Sequence, residues 1–201
     1  MTAPYRTGLG GRDGTPAAQA PRRSAWGLCA AERHTLESIR SWVALLHADR
    51  RSDRAQAAMA RWVHLFGDAG GRQASHALDQ FLAALACGTE RAITTGCACC
   101  GRPSADELRL LAYLGAVWHR IEPTAEELAG HWLSSERQEM LEIYGRLYGY
   151  AMAQDGYAPP PPTSGRLRHI RIETVIQTSE IRLRQAETSN AAAAAVSRRR
   201  H

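Results

Sequence analysis

Four of the five cysteines fall between positions 87 and 100: Cys87, Cys97, Cys99 and Cys100, in the pattern C-x9-C-x-C-C. Four thiolates at one end of a helical domain can surround a Zn²⁺ tetrahedrally, with Zn–S distances of about 2.3 Å. The spacing is not the C-x2-C knuckle of common zinc modules. A second chemistry is redox. Cys100 stands just before an expected helix start, where the helix dipole favours a thiolate, and Arg91 and Arg102 add positive charge. A neighbouring thiol would then resolve a sulfenic acid formed by oxidation. A third reading needs no chemistry, because free cysteines also serve as small apolar packing residues. All three stay open. His76 or His131 are candidates to replace a thiol, whereas His119 lies at the far end of its helix, about 20 Å away at 1.5 Å per residue.

Other chemistries are narrowed by composition. All 25 basic residues are arginine. Without lysine there is no Schiff-base nucleophile and no phosphate-binding lysine of the P-loop or kinase kind. The chain contains neither H-E-x-x-H nor G-x-S-x-G, so the usual zinc-protease helix and serine-hydrolase elbow are missing. Cys99-Cys100-Gly101 resembles the cysteine-rich motif of some iron–sulfur disulfide reductases, which use further cysteines at long spacing that this chain lacks; no family is assigned. Asp106, Glu107, Glu122, Glu126 and Glu127 crowd two expected helix starts, where carboxylates complement the dipole without any catalytic duty. Glu136, Glu139 and Glu142 form an acidic face on the last helix that can receive a basic partner or the chain's own arginine tail.

The net charge of +5 belongs to the ends. Residues 163–201 carry eight arginines against Glu173, Glu180 and Glu187, while 25–162 is net acidic. Arg166, Arg168, Arg171, Arg182 and Arg184 are therefore the candidate binding residues for nucleic acid or an acidic partner. The segment before residue 25 has no apolar core of a signal peptide, and no run of apolar residues is long enough to span a bilayer. The composition, alanine-rich and free of lysine, reads as a cytoplasmic bacterial protein.

The elements that must position these residues are helices. Leu36, Ile39, Val43 and Leu46 recur at helical period over 35–50, and Trp42 widens the stripe. A second helix is expected over 53–66 with Met59, Trp62, Val63 and Phe66 on one face, and a third over 73–87 with Leu78, Phe81, Leu82 and Leu85 inward. After the cysteine loop, three capping boxes mark helix starts: Ser104-x-x-Glu107, Thr124-x-x-Glu127 and Ser135-x-x-Gln138. They open helices over about 105–120, 125–133 and 136–153. The last has Met140, Leu141, Tyr144, Leu147, Tyr148 and Ala151 inward.

The expectation is an all-α fold: a bundle of about six helices over 25–158, with a cysteine-containing loop between helices 3 and 4. Disordered ends flank it. Residues 1–24 form a disordered segment, the four prolines at 159–162 a stiff extended linker, and 163–201 a basic extension that stays disordered or orders on a partner. Alternation of Ile170, Ile172 and Ile176 over 166–184 suggests a strand. In function the chain reads as a non-enzymatic accessory or regulatory protein that binds another protein, with Zn²⁺ at Cys87–Cys100 as its candidate cofactor. The alternatives are a thiol- or metal-dependent redox sensor and a nucleic-acid-associated protein working through the arginine tail.

Overall fold

The computed structural model describes residues 27–48, 52–67, 71–96 and 101–173. These residues are all-helical and contain no strand. Six helices follow one another: α1 Ala30–His47, α2 Asp53–Leu65, α3 Gly71–Gly88, α4 Ala105–Trp118, α5 Glu122–Ala129 and α6 Ser135–Gln154. A seventh, α7, spans 164–173.

Local chemistry sets the helix ends, though not always as the motifs suggest. At α4 both halves of the capping box form: Ser104 Oγ accepts the Glu107 amide, and Glu107 accepts the Ser104 amide. At α5 the helix instead begins at Glu122 with Pro123 in its first turn, and Thr124 is not the cap. Proline suits that turn because its missing N–H would have no helical partner there. At α6 the cap is Ser134, and Gln138 turns its amide to the Leu133 carbonyl. Helix α1 starts at Ala30, upstream of the expected Thr35, because Glu32 reaches back to accept the Cys29 amide.

Helix α3 packs on α6, α4 on α5 and α6, and α1 on α2 and α4. Their shared core contains Phe81, Leu78, Leu110, Leu114, Leu141 and Tyr148. Phe81 and Tyr113 stack with ring centroids 6.0 Å apart. Burying a large apolar side chain contributes about 1.5–3 kcal/mol, so this shared interior is the main stabilising term.

The part of the chain after α6 differs from its expected role. Residues 159–162 run along α4: a Cβ on Gly115 would stand 2.2 Å from the Pro160 carbonyl oxygen, and His119 Nε2 bonds the Pro159 carbonyl at 3.0 Å. The prolines thus form a strap on the bundle. Beyond them, α7 replaces the strand expected from the alternation of isoleucines. Ile170 joins the main core and Leu167 packs against it, three residues apart on one helical face. The period-2 pattern loses because a lone strand has no partner to satisfy its backbone, whereas a helix satisfies its own. The rest of the expected basic extension, and the expected N-terminal segment up to residue 26, lie outside the described residues.

Candidate functional site

Two features collect polar or apolar side chains where helices alone do not require them. The first lies between α1 and the start of α4. Glu107, fully buried, accepts Arg40 Nε at 2.7 Å and Arg40 Nη2 at 2.8 Å, the Gly96 amide at 2.9 Å and the Ser104 amide at 2.7 Å. Arg40 also donates to the Arg102 carbonyl at 3.0 Å. Gly96 permits this close approach, since a Cβ there would meet Arg40 Nη2 at 2.6 Å.

Beside it, Asp106 accepts both terminal nitrogens of Arg91, Arg109 Nη1 at 2.7 Å and the Thr94 amide at 2.9 Å. Burial pushes the Asp106 carboxyl up, but Arg91's hydrogen bonds, the Thr94 amide and the charges of Arg91 and Arg109 outweigh it. Its pKa therefore lies below the ordinary carboxylate range. Arg91 Nε also reaches the His131 carbonyl at 3.2 Å. The His131 imidazole is pushed down to about 4, first by burial and then by the charges of Arg109 and Arg91, against the opposing pull of Asp106. It is therefore neutral at pH 7.

The sequence places Asp106 and Glu107 at a helix start, with Glu107 in the capping box that forms; the structure adds that both are buried. They are interior groups whose lone pairs are filled by loop amides and guanidinium groups. One signal was available. Arg40 stands four residues after Leu36 and three before Val43, inside the apolar stripe of α1, and a buried cation demands a buried anion.

Of the four predicted thiol ligands, one falls among the described residues. Cys87 lies exposed in the last turn of α3. Cys97, Cys99 and Cys100 lie outside the described residues. Among the described residues no group of three His, Cys, Asp or Glu side chains is placed to hold a metal ion. The fifth cysteine, Cys29, precedes α1 and is half-buried. Of the candidate binding arginines, Arg166 pairs with buried Glu32. Arg171 pairs through Nε and Nη2 with Glu127 of α5, which lowers the Glu127 pKa. Arg168 is exposed, and Arg182 and Arg184 lie outside the described residues. Two members of the expected basic patch thus hold α7 to the bundle.

The second feature is apolar and exposed. On α6, the buried face consists of Leu141, Gly145, Tyr148, Gly149, Ala151 and Met152. Met140 and Leu147, expected inside, face out together with Ile143 and Tyr150. These four are 49, 52, 44 and 58 % exposed. Their steps of three, four and three residues are those of a helix–helix seam. The two faces explain how one helix carries so many large side chains. The glycines at 145 and 149 let α4 approach: Val117 lies 3.5 Å from a Cβ at 145, and Trp118 would clash with one at 149.

A wider apolar groove of about 1040 Å³ opens among α1, α2 and α3, lined by Trp42, Leu45, Leu46, Met59 and Trp62. Trp42 is fixed there by its Nε1 bond to Asp79 at 2.8 Å. Leu46, Met59 and Val63 were expected in the core and are exposed instead. Residues 49–51 and 68–70, in the connections between these three helices, lie outside the described residues. No described helix is long and apolar enough to cross a membrane. No family model, curated protein or solved structure is detectably similar to this chain.

Proposed function

We propose that this chain is a non-enzymatic accessory or regulatory protein that acts by binding another protein. The observation that carries the reading is the outer row of α6, Met140–Ile143–Leu147–Tyr150. Water gains nothing from a helix that presents four large apolar side chains in register, and exposed apolar patches of this kind mark interaction surfaces. Helix-in-groove and helix–helix recognition both read anchors at this spacing. The test is a photo-crosslinking residue at Leu147 in cells that make the protein, with one at exposed Arg72 of α3 as control. A discrete adduct from 147, absent from 72 and lost when Ile143 and Tyr150 become Ser, is expected. Equal labelling at both positions, or an adduct indifferent to Ile143→Ser and Tyr150→Ser, would overturn the reading.

A second reading concerns the cysteine loop, taken as a fold detail and as a thiol site. It is favoured by one contact pattern: Gly96 before Cys97 and Ser104 after Cys100 both donate to the same Glu107 carboxylate. These two bonds bring the chain on either side of Cys97, Cys99 and Cys100 to one carboxylate. Such a thiol set suits Zn²⁺ or a thiol-based sensor. Metal content and free-thiol counting on the full chain, purified anaerobically without a chelating tag, decide it. One metal per chain, lost in Cys97→Ser/Cys99→Ser, supports a metal site. No metal with all five thiols titrating at the rate of free thiols rejects both the metal and the sensor.

A further inference from the structure

We propose that the α5–α6 face receives a cationic amphipathic helix from a partner protein, one Lys or Arg of which enters the cavity beneath Tyr113. The inference rests on the protein-binding reading of the α6 row and gives the partner its chemistry.

The cavity lies where α4, α5 and α6 meet and encloses about 110 Å³. A cavity of about 150 Å³ takes up benzene, so this one has room for the end of one side chain. Val117, Ile121, Ala125 and Ala129 supply the apolar part of its lining. Tyr113 also lines it. That side chain is 1 % exposed, and its hydroxyl, which forms no hydrogen bond with a described residue, keeps a little surface open to the cavity. Arg146 Nε is also buried without a partner; as a donor it calls for an acceptor, which a Lys or Arg does not supply. A hydroxyl that opens on a cavity without a protein partner is available to accept from an incoming donor.

The charge at the mouth selects that group. Glu122 and Glu126 come from α5 and Glu142 from α6. Arg120 and Arg146 are the cations there, and Arg146 is paired with Glu142. Glu136 and Glu139 follow on the first turns of α6, beside Met140. None of Glu122, Glu126, Glu136 and Glu139 forms an ion pair among the described residues. Gln138, Glu142 and Arg146 step by four along one strip of α6, and at 100° per residue Ile143 and Tyr150 lie on the adjoining strip. Cavity, carboxylates and apolar row therefore form one continuous surface.

A Lys or Arg suits it throughout. The aliphatic stem covers the apolar wall while the cation meets carboxylates and the Tyr113 oxygen. The remaining face of the partner helix covers the α6 row. An acidic helix would bring like charges together, and a second copy would bring the same excess of carboxylates to the seam.

The test uses the full chain and two labelled helical peptides with the same leucine seam, one flanked by Lys and the other by Glu. The Lys peptide is expected to bind about tenfold more tightly than its Glu twin at low salt. Leu147→Ser, Glu122→Gln/Glu126→Gln and Tyr113→Phe should each weaken it about threefold or more, with circular dichroism unchanged. Equal affinity for the two peptides, or indifference to Glu122→Gln/Glu126→Gln and Tyr113→Phe, overturns the proposal. So does a severalfold gain in peptide affinity when Arg182, Arg184, Arg198, Arg199 and Arg200 become Gln, which would make the chain's own tail the occupant. A dimer in sedimentation that Leu147→Ser dissociates would assign the face to a second copy, again against the proposal. If crosslinking at Leu147 captures a partner while the peptides bind equally, the protein-binding reading stands and the cationic helix alone is refuted.

Discussion

Replacing Glu107 by Gln keeps the shape of the most deeply buried carboxylate and removes its charge. In the native protein its two oxygens accept four hydrogen bonds of 2.7–2.9 Å, two from Arg40 and one each from Gly96 and Ser104. A Gln has one carbonyl oxygen, so its NH₂ must face one arm of Arg40 and one loop amide, donor against donor. It also removes the negative charge that faces the Arg40 guanidinium, itself 8 % exposed. Breaking a buried pair in this way costs about 3–5 kcal/mol. For a chain of this size 1 kcal/mol moves Tm by about 2–4 °C, so a fall of roughly 6–20 °C is expected in thermal melts followed by circular dichroism. The same logic makes the double variant informative. Arg40→Met/Glu107→Gln removes both charges, so its loss should be well below the sum of the two single losses. Amide hydrogen exchange at Gly96 or Ser104 should accelerate in Glu107→Gln, because one of these amides loses its acceptor. A Tm change below about 2 °C, or strict additivity in the double variant, would refute a buried, mutually dependent pair that pins the loop.

Acidification gives an independent prediction. The folded His131 takes its proton only near pH 4, while the unfolded chain takes it near 6.5. Between those values the unfolded state holds more protons, so stability falls as pH drops through the window. With the partial exposure of the ring allowed for, the loss is roughly 1–2 kcal/mol. Urea unfolding at several pH values should show this slope in the native chain and a flatter one in His131→Asn; parallel slopes would count against it. Gly115→Ala places a Cβ against the Pro160 backbone, which lifts the strap and costs about 1–3 kcal/mol. Trypsin should then cut faster after Arg166 and Arg168, and an unchanged cleavage rate would show that the strap does not need that approach. Ile170→Ala removes the buried anchor of α7 at a cost of about 2–5 kcal/mol. A melt identical to the native one would mean that 164–173 contributes nothing to the core.

Much of the helical layout is legible in the chain because its causes are local. Apolar residues at period 3.6 mark α1, α2, α3, α4 and α6, and the Ser104–Glu107 box forms as its spacing predicts because all four of its atoms belong to one turn. The other two boxes show the limit of the motif. At Thr124 a preceding Pro123 already satisfies the start, and at Ser135 the chain caps one residue earlier.

Which side of a helix is inside is less local. On α6 the pattern offers two apolar faces. The one bearing Gly145 and Gly149 is buried because only small residues there admit Val117 and Trp118, leaving Met140 and Leu147 outside. The candidate site divides in the same way. The thiol cluster and the acidic start of α4 stand plainly in the sequence, but the pairing of Arg40 with Glu107 joins residues 67 apart, and no periodicity encodes it.

Composition and periodicity thus suffice for the helical class, most helix positions and the absence of familiar catalytic motifs, since each arises from residues within a few turns. The inward turn of two carboxylates, the strap of prolines over Gly115 and the docking of α7 through Ile170 depend on distant segments competing for the same buried volume. That competition is settled by long-range packing and by the cost of burying an unpaired charge, neither of which leaves a mark on a single stretch of chain.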